Sequence, residues 1–344
     1  MLKSVLLATT ITCGAILSTT AVGQQAVSST LVAAPEREPV QLDTVVVTGR
    51  VTGPGMWQVY MDDDHDLWIM GTLSPLPANI QWDSSQVQDL VAQAGDVMWP
   101  PNYGVNVKAN VLQQAMLGMS YLKAQKNPDG KSLQQVLDPA LYARWQATKT
   151  KYMPRNSSVE KKRPLVAAQE LLDVAIKRVS LSGKDIVSPQ MKSFAEQNGI
   201  RHWRPVFTVD VSSKAAKAAL SDVRRQSLDD ARCLAATLDA LDDDIPRMVA
   251  NANAWATGDV QGISFSALAR RNSLCSDAMM SPEFSAKYGL PNIEQSVANH
   301  WLKHARAALT RNAITVAFVP MEYLVGPNSY LDRLRAEGYT VSSP

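Results

Sequence analysis

Met56–Tyr60 (MWQVY) and Leu67–Leu73 (LWIMGTL) are two apolar runs joined by the aspartate-rich connection Met61–Asp66. Apolar runs of this length on either side of a short polar connection are typical of a β-hairpin. The second run ends at Ser74–Pro77 (SPLP), where two prolines must stop the strand because proline cannot donate to a β-ladder. These residues predict that the chain enters its fold through a pair of strands.

The segment that follows the hairpin predicts one helix and one further strand. Ser84 is placed to cap a helix over Gln86–Ala94, and Asp96–Trp99 has the pattern of a short buried strand. Near the other end of the chain, Ile314–Pro320 (ITVAFVP) predicts a strand. The order of strand, loop, helix and strand predicts an α/β fold, with a central sheet formed by the N- and C-terminal segments.

The middle of the chain, from about residue 106 to 310, predicts mainly helices. Apolar residues recur at spacings of three and four, with prolines between the segments. The predicted helices are Asn106–Gln125, Asp138–Tyr152, Val159–Val179, Ser221–Leu241, Pro246–Trp255 and Ile293–Thr310. Phe207–Val211 predicts an inserted strand, a last helix begins near Ser329, and Tyr339–Val341 predicts a final edge strand.

Residues 1–23 have the pattern of a signal peptide. Lys3 precedes the apolar stretch Ser4–Leu17, which is shorter than the roughly 20 residues that cross a bilayer. Ala21 and Gly23 provide the small side chains of a cleavage site before Gln24. We therefore expect a periplasmic protein with no integral membrane segment once the signal is removed.

Residues 24–52 predict a flexible arm, and 53–344 a single domain. The arm is rich in Gln, Ser, Ala and Pro, and it contains the β-branched run Leu42–Gly49 (LDTVVVTG). That run resembles the start of the plug of TonB-driven outer-membrane receptors, although a short edge strand or a linker fits three valines better.

The charge of the chain argues against nucleic acid as a partner. Its 344 residues include 34 basic and 32 acidic side chains, which gives a net charge of +2 with no extended basic field. After signal cleavage two of the three cysteines remain, Cys233 and Cys275. An even number of cysteines in an exported chain predicts a disulfide. Closing a loop of this length is worth about 4 kcal/mol in the chain-entropy model.

Three segments together resemble a known family. They are 53–59 (GPGMWQV), 67–77 (LWIMGTLSPLP) and above all 316–341 (VAFVPMEYLVGPNSYLDRLRAEGYTV). These motifs, with a weaker match at 249–260, are similar to those of the TraB/GumN family of bacterial exported proteins. The resemblance covers residues 53–344. It implies an α/β core in which the first and last motifs meet, a relation to TIKI-type metalloproteases, and a link of one member to exopolysaccharide production.

The resemblance also implies a metal site that this chain has lost. The family pattern places His, Glu and His where this sequence has Ser74, Pro100 and Tyr323. Divalent metals need carboxylate, imidazole or thiolate ligands, so we expect neither a metal nor another cofactor. Because residues beyond the carboxyl ends of neighbouring strands converge on one crevice, we predict a shared cleft. Its candidate residues are Gly71, Ser74, Pro100, Glu322 and Tyr323, with aromatic walls from Trp82 or Trp99.

Other chemistry-bearing residues predict structure rather than a site. His65 lies in the acidic hairpin connection and is expected at a solvated tip. His300 and His304 have the spacing of a helical zinc pair, but the sequence between them lacks the glutamate of HExxH, and packing is the better explanation. Ser74 has no surrounding GxSxG motif to mark it as a nucleophile.

The sequence leads to three hypotheses of function. The first is a non-catalytic envelope protein that binds a small molecule, a saccharide or an envelope protein. A saccharide is included because Trp57, Trp68, Trp82 and Trp99 lie close together in the sequence, near the first motif. The second is a hydrolase with an unrecognised site around Ser74, Glu322 and Tyr323. The third is an envelope scaffold whose arm, residues 24–50, contacts a partner.

Overall fold

A computed structural model describes residues 53–62, 64–225, 229–264, 266–326 and 328–344. The predicted signal peptide, the arm and the run Leu42–Gly49 lie outside the described residues. The strands are β1 (Met56–Tyr60), β2 (Asp66–Thr72), β3 (Leu76–Pro77), β4 (Asp96–Met98), β5 (Asn102–Lys108), β6 (Leu181–Ser182), β7 (His202–Trp203), β8 (Val206–Ser212), β9 (Ile314–Pro320) and β10 (Thr340–Ser342).

The helices occupy most of the middle of the chain. They are α1 (Ser85–Gln93), α2 (Val111–Ala124), α3 (Leu133–Val136), α4 (Pro139–Tyr152), α5 (Pro164–Arg178), α6 (Val187–Gln197), α7 (Ser213–Arg225), α8 (Asp230–Asp243), α9 (Met248–Ala256), α10 (Ser266–Met279), α11 (Pro282–Tyr288), α12 (Ile293–Leu309), α13 (Met321–Leu324) and α14 (Tyr330–Ala336). Short 3₁₀ turns lie at Pro128–Gly130, Ser158–Lys161, Ile245–Arg247 and Val260–Gly262.

The two ends of the chain form the central sheet, as the sequence predicts. Its strand order is β10-β1-β2-β9-β4-β7. The hairpin β1–β2 is antiparallel, whereas β2, β9, β4 and β7 run parallel. A parallel strand buried on both faces is expected to be apolar almost throughout, and β9 has this composition, with Phe318 and Val319 fully buried. The fold is therefore mixed α/β.

Two hydrophobic cores serve the two halves of the fold. One surrounds the central sheet and includes Ile69, Trp301 and Phe318. The other is mainly helical, and it includes Trp145 of α4, Leu171 of α5 and Cys233 of α8. The predicted disulfide between Cys233 and Cys275 is present and joins α8 to α10 in the helical core, with the two Cα atoms 4.6 Å apart.

Two helix predictions in the middle of the chain are wrong. The helix predicted from Asn106 begins at Val111, because Asn102–Lys108 forms β5 and pairs in parallel with β8. Asn110 then caps α2: its side chain accepts from the Gln113 N–H at 2.9 Å. The helix predicted over Ser221–Leu241 is instead two helices, α7 and α8, which end at Arg225 and begin at Asp230. Among the described residues, no helix is long and apolar enough to cross a lipid bilayer.

Candidate functional site

The candidate site lies at the edge of the sheet where β2, β9 and β4 end. Thr72 at the end of β2 is paired with Pro320 at the end of β9, and the two strands are parallel neighbours. Strand β4 runs parallel to β9 on its other side. Ser74, Glu322 and Pro100 therefore each follow one of three adjacent strands, at the same edge of the sheet. The predicted strand arrangement is confirmed.

Gly71 shows how closely the first and last motifs approach each other. A Cβ atom at this position would overlap the Met321 sulfur and lie 3.1 Å from the Trp57 ring, so only glycine fits. The Gly71 carbonyl accepts a hydrogen bond of 2.7 Å from the Trp255 indole N–H. Trp82 packs against Trp255, with ring centroids 5.5 Å apart. Gly71 and Trp82 are thus linked through a buried tryptophan of α9.

The Ser74 hydroxyl is hydrogen-bonded to a backbone carbonyl rather than to a basic side chain. Its side chain is exposed, and its hydroxyl donates to the Gly183 carbonyl at 3.3 Å. A serine nucleophile needs a general base within hydrogen-bond distance of the hydroxyl. The hydrogen bond of Ser74 to a backbone carbonyl does not provide that activation.

Glu322 is an ionisable group at this edge of the sheet whose surroundings alter its pKa. It lies in the first turn of α13 and accepts from the Asn272 amide at 3.4 Å. Asn272 in turn accepts from Arg271 at 3.1 Å. Part of Glu322 is exposed to solvent, but the protein atoms around its carboxyl group exclude some of the water from that group. This burial, with the negative charge of Glu294, raises the pKa of Glu322 above its ordinary value, although the bond from Asn272 opposes the shift.

Tyr323 is held in an aromatic stack. Its ring lies parallel to that of Tyr330 with centroids 5.3 Å apart, and Tyr330 packs against Trp301 at 4.9 Å. Burial, together with the negative charges of Glu322 and Glu294, raises the pKa of Tyr323 to about 12. The phenol is therefore neutral at pH 7.

Trp99 and Pro100 belong to the core. The Trp99 side chain is only 4% exposed and stacks on Phe318, with centroids 5.1 Å apart. Its indole N–H donates to the His202 ring at 3.1 Å. Pro100 is buried, and its carbonyl accepts from Arg204 at 2.8 Å. Neither side chain offers a polar atom to a ligand in the crevice.

Trp82 instead faces a recess of about 460 Å³. The lining residues are Gln81, Trp82, Asp83, Asn253, Ala256 and Thr257. Asn253 and Thr257 come from α9 and the residue after it, which the sequence predicts as a helix but gives no functional role. Their spacing of four residues places both on one helix face, the one signal in the sequence that could have identified them.

The three residues at which the resemblance implies metal ligands do not fit a metal. Pro100 has no donor atom in its side chain, Ser74 donates to a carbonyl, and Tyr323 keeps its proton. In the described ranges, no group of three or more His, Cys, Asp or Glu side chains could hold a metal ion. His300 and His304 contact each other at 4.6 Å and pack against Phe207 and Trp203. His65 pairs with Asp62 at 3.1 Å on the exposed connection.

A model of the TraB/PrgY/gumN family matches residues 55–343. The chain belongs to the TraB/PrgY/gumN family. No curated protein and no solved structure matches the chain significantly. As a TraB/PrgY/gumN family member, the chain brings its first and last motifs together at Gly71 and Met321, where the resemblance implies that they meet.

Proposed function

We propose that this TraB/PrgY/gumN family protein is exported and binds a saccharide in the recess beside Trp82, without catalysing its turnover. The observation that carries the proposal is the composition of the recess. Trp82 offers an aromatic face, Gln81 and Asn253 carry amides, and the Thr257 hydroxyl, which donates to the Asn253 carbonyl at 3.0 Å, can still accept a hydrogen bond. An apolar surface with a few polar groups placed around it is the usual form of a small-ligand site. Sugars present one apolar face and a rim of hydroxyls, so they match both features.

The support beneath Trp82 favours a preformed site. Trp82 packs on Trp255, which is almost fully buried and is fixed by its hydrogen bond to Gly71. A rigid wall loses little conformational freedom when a ligand binds. The link to Gly71 also places the recess beside the first family motif.

The Cys233–Cys275 disulfide supports the proposed export, because disulfides persist in oxidising compartments such as the bacterial periplasm. Intact mass spectrometry of periplasmic material should give a chain that begins at Gln24. A full-length mass, or recovery only from the cytoplasm, would contradict export.

Binding is tested by calorimetric titration of the mature chain with neutral and acidic hexose oligosaccharides prepared from bacterial exopolysaccharide. We expect Trp82→Ala to weaken binding by about tenfold or more, and Trp82→Phe to retain most of it, because phenylalanine keeps an aromatic face. Trp68→Ala is the matched control, since Trp68 is a half-buried tryptophan of β2 that does not line the recess. Equal affinities for wild type and Trp82→Ala would refute the site.

One alternative is a hydrolase with a site around Ser74, Glu322 and Tyr323, in which the raised pKa of Glu322 favours that residue as a general acid or base. In that case Glu322→Gln would abolish hydrolysis of the same oligosaccharides while leaving their affinity intact. If the bound oligosaccharides are recovered unchanged from wild-type protein after prolonged incubation, the alternative fails and the binding function stands.

A further inference from the structure

Helix α2 turns an apolar face to solvent. Val111 is 84% exposed, Leu112 70%, Leu122 62% and Met119 58%. At 100° per residue these four side chains, with Ala115, share one side of the helix. Of the 14 residues in α2, only Lys123 is charged. Monomeric proteins rarely expose a continuous apolar surface of this extent, and such surfaces mark interaction sites.

The layer to which α2 belongs is sparsely packed in the part of the chain that the structure describes. Strands β5 and β8 form a two-stranded parallel sheet separate from the central sheet, and α2 packs against α7. Ala124 is the one buried residue of α2, and α7 has none. A two-stranded sheet has little stability unless other elements cover it. Tyr103 and Val105 of β5 are also exposed.

The outward face of α2 has the spacing of a helix-packing seam. Val111, Ala115, Gly118 and Leu122 are separated by four, three and four residues, the alternation that keeps one seam facing a partner helix. A Cβ added to Gly118 would meet nothing within 4 Å. Glycine in a helix interior costs about 1 kcal/mol relative to alanine, and no contact with another described residue requires it here. Small residues at the centre of a seam let two helix backbones approach closely.

We propose that α2 is the dimerisation element of this protein and packs antiparallel against α2 of a second copy. The two-fold axis would lie midway between Ala115 and Gly118. Ala115 of one chain would then face Gly118 of the other, and Val111 would face Leu122. The same surface then lies on both sides, as an isologous interface requires. No charge of the seam meets a like charge, since the seam has none.

The apolar area exposed on α2 is close to that of a small protein–protein interface, which fits a second copy of the chain. The large apolar side chains on this side of α2 present on the order of 550 Å², close to the roughly 600 Å² that each partner contributes to the smallest standard interfaces. They are Val111, Leu112, Met116, Met119 and Leu122. A membrane surface is a poorer match, because interfacial helices carry several Lys or Arg residues on their polar face, whereas α2 carries one.

Introducing a positive or a negative charge at Ala115 tests the proposal. Sedimentation equilibrium of the mature wild-type chain should give twice the chain mass at micromolar concentration. Ala115→Arg and Ala115→Glu should each weaken self-association by about tenfold or more, because each places two like charges across the two-fold axis. Mixing the two variants should restore a dimer that contains one chain of each. This rescue would not occur if the substitutions had merely unfolded α2.

Ala143→Arg and Ala143→Glu are matched controls, since Ala143 is an exposed alanine of α4 outside the seam, and both variants should remain dimeric. A wild-type monomer at every concentration would overturn the proposal. So would dimers of Ala115→Arg as stable as wild type. A monomer that dimerises only after residues 24–49 are removed would assign the face to the arm, and a monomer that sediments with anionic vesicles would assign it to a membrane; either result overturns the dimer.

Discussion

Asp96 is a buried carboxylate on which three donors converge. Its side chain is fully buried at the start of β4 and accepts from Arg201 at 2.8 Å and Asn312 at 2.9 Å, as well as from Arg311. Burial alone would raise the pKa of Asp96, but the hydrogen bonds from Asn312, Arg311 and Arg201 outweigh burial and lower it. The carboxylate therefore ties β4 to the turn that precedes β9 and to the start of β7.

Asp96→Asn should lower the free energy of unfolding by about 2–3 kcal/mol at pH 7, because it removes charge-assisted bonds and leaves two arginines unpaired. A pKa depressed by folding stabilises the protein above the unfolded value of about 3.9, and this stabilisation is lost as the pH falls through the lower folded value. Urea denaturation of wild type and variant should therefore converge below about pH 4.

Asp89→Asn is the control for this measurement. Asp89 is exposed on α1, so its substitution should change stability by about 0.5 kcal/mol or less. An Asp96→Asn difference that stayed constant from pH 7 to strongly acidic pH would contradict the role assigned to the carboxylate.

At the scale of elements, the approach of β2 to α13 predicts a coupling between Gly71 and Met321. Gly71→Ala should destabilise by about 1–3 kcal/mol, since the added methyl overlaps the buried Met321 side chain. In the double variant Gly71→Ala/Met321→Ala the side chain at position 321 is shortened, which removes this overlap. The double variant should then be more stable than the sum of the two single changes predicts, by about 1 kcal/mol or more.

Gly104→Ala serves as the control, because an added Cβ there would meet only ordinary contacts at 3.9 Å. Strict additivity of the Gly71 and Met321 changes in thermal or urea unfolding would show that β2 and α13 do not touch as described.

Strands rich in apolar and β-branched residues were the ones that sequence could predict. The observed bounds of β1, β2 and β9 agree within a residue, and so do those of the mostly exposed β8, which was expected over Phe207–Val211. β5 was missed because its sequence NYGVNVK contains a glycine and two asparagines, and because it is defined by pairing with β8, about a hundred residues away. Such distant pairing leaves no local periodicity. Ser221–Leu241 was predicted as one helix because helical spacing continues across the boundary of α7 and α8.

Some features of the candidate site could likewise be predicted from the sequence, and others could not. The shared edge of β2 and β9 followed from two strand predictions and the rule for parallel sheets, and the structure confirms it. The role of Trp255 beneath Trp82 could not be predicted, because it depends on a hydrogen bond that spans 184 residues of sequence. Trp99 was expected as a cleft wall, yet its contact with Phe318 places its ring in the core.

At the scale of the whole molecule, β2 and β9 are neighbours in the central sheet, and Ser74, Pro100 and Tyr323 stand where the resemblance to the family implies metal ligands. The sheet is stabilised by its own core, which includes Ile69 and Phe318, and the disulfide strengthens the separate helical core. Because both cores are built from apolar side chains, we expect the fold to be stable without a bound metal.

Elemental analysis of the purified mature protein tests the central claim most directly. Because Pro100 has no donor atom and Tyr323 keeps its proton, we predict well under one divalent metal ion per chain after dialysis, and no change in thermal unfolding when a chelator is added. One bound metal per chain, with a chelator-induced loss of stability, would contradict the account and would mean that the crevice of this family member still holds a working metal site.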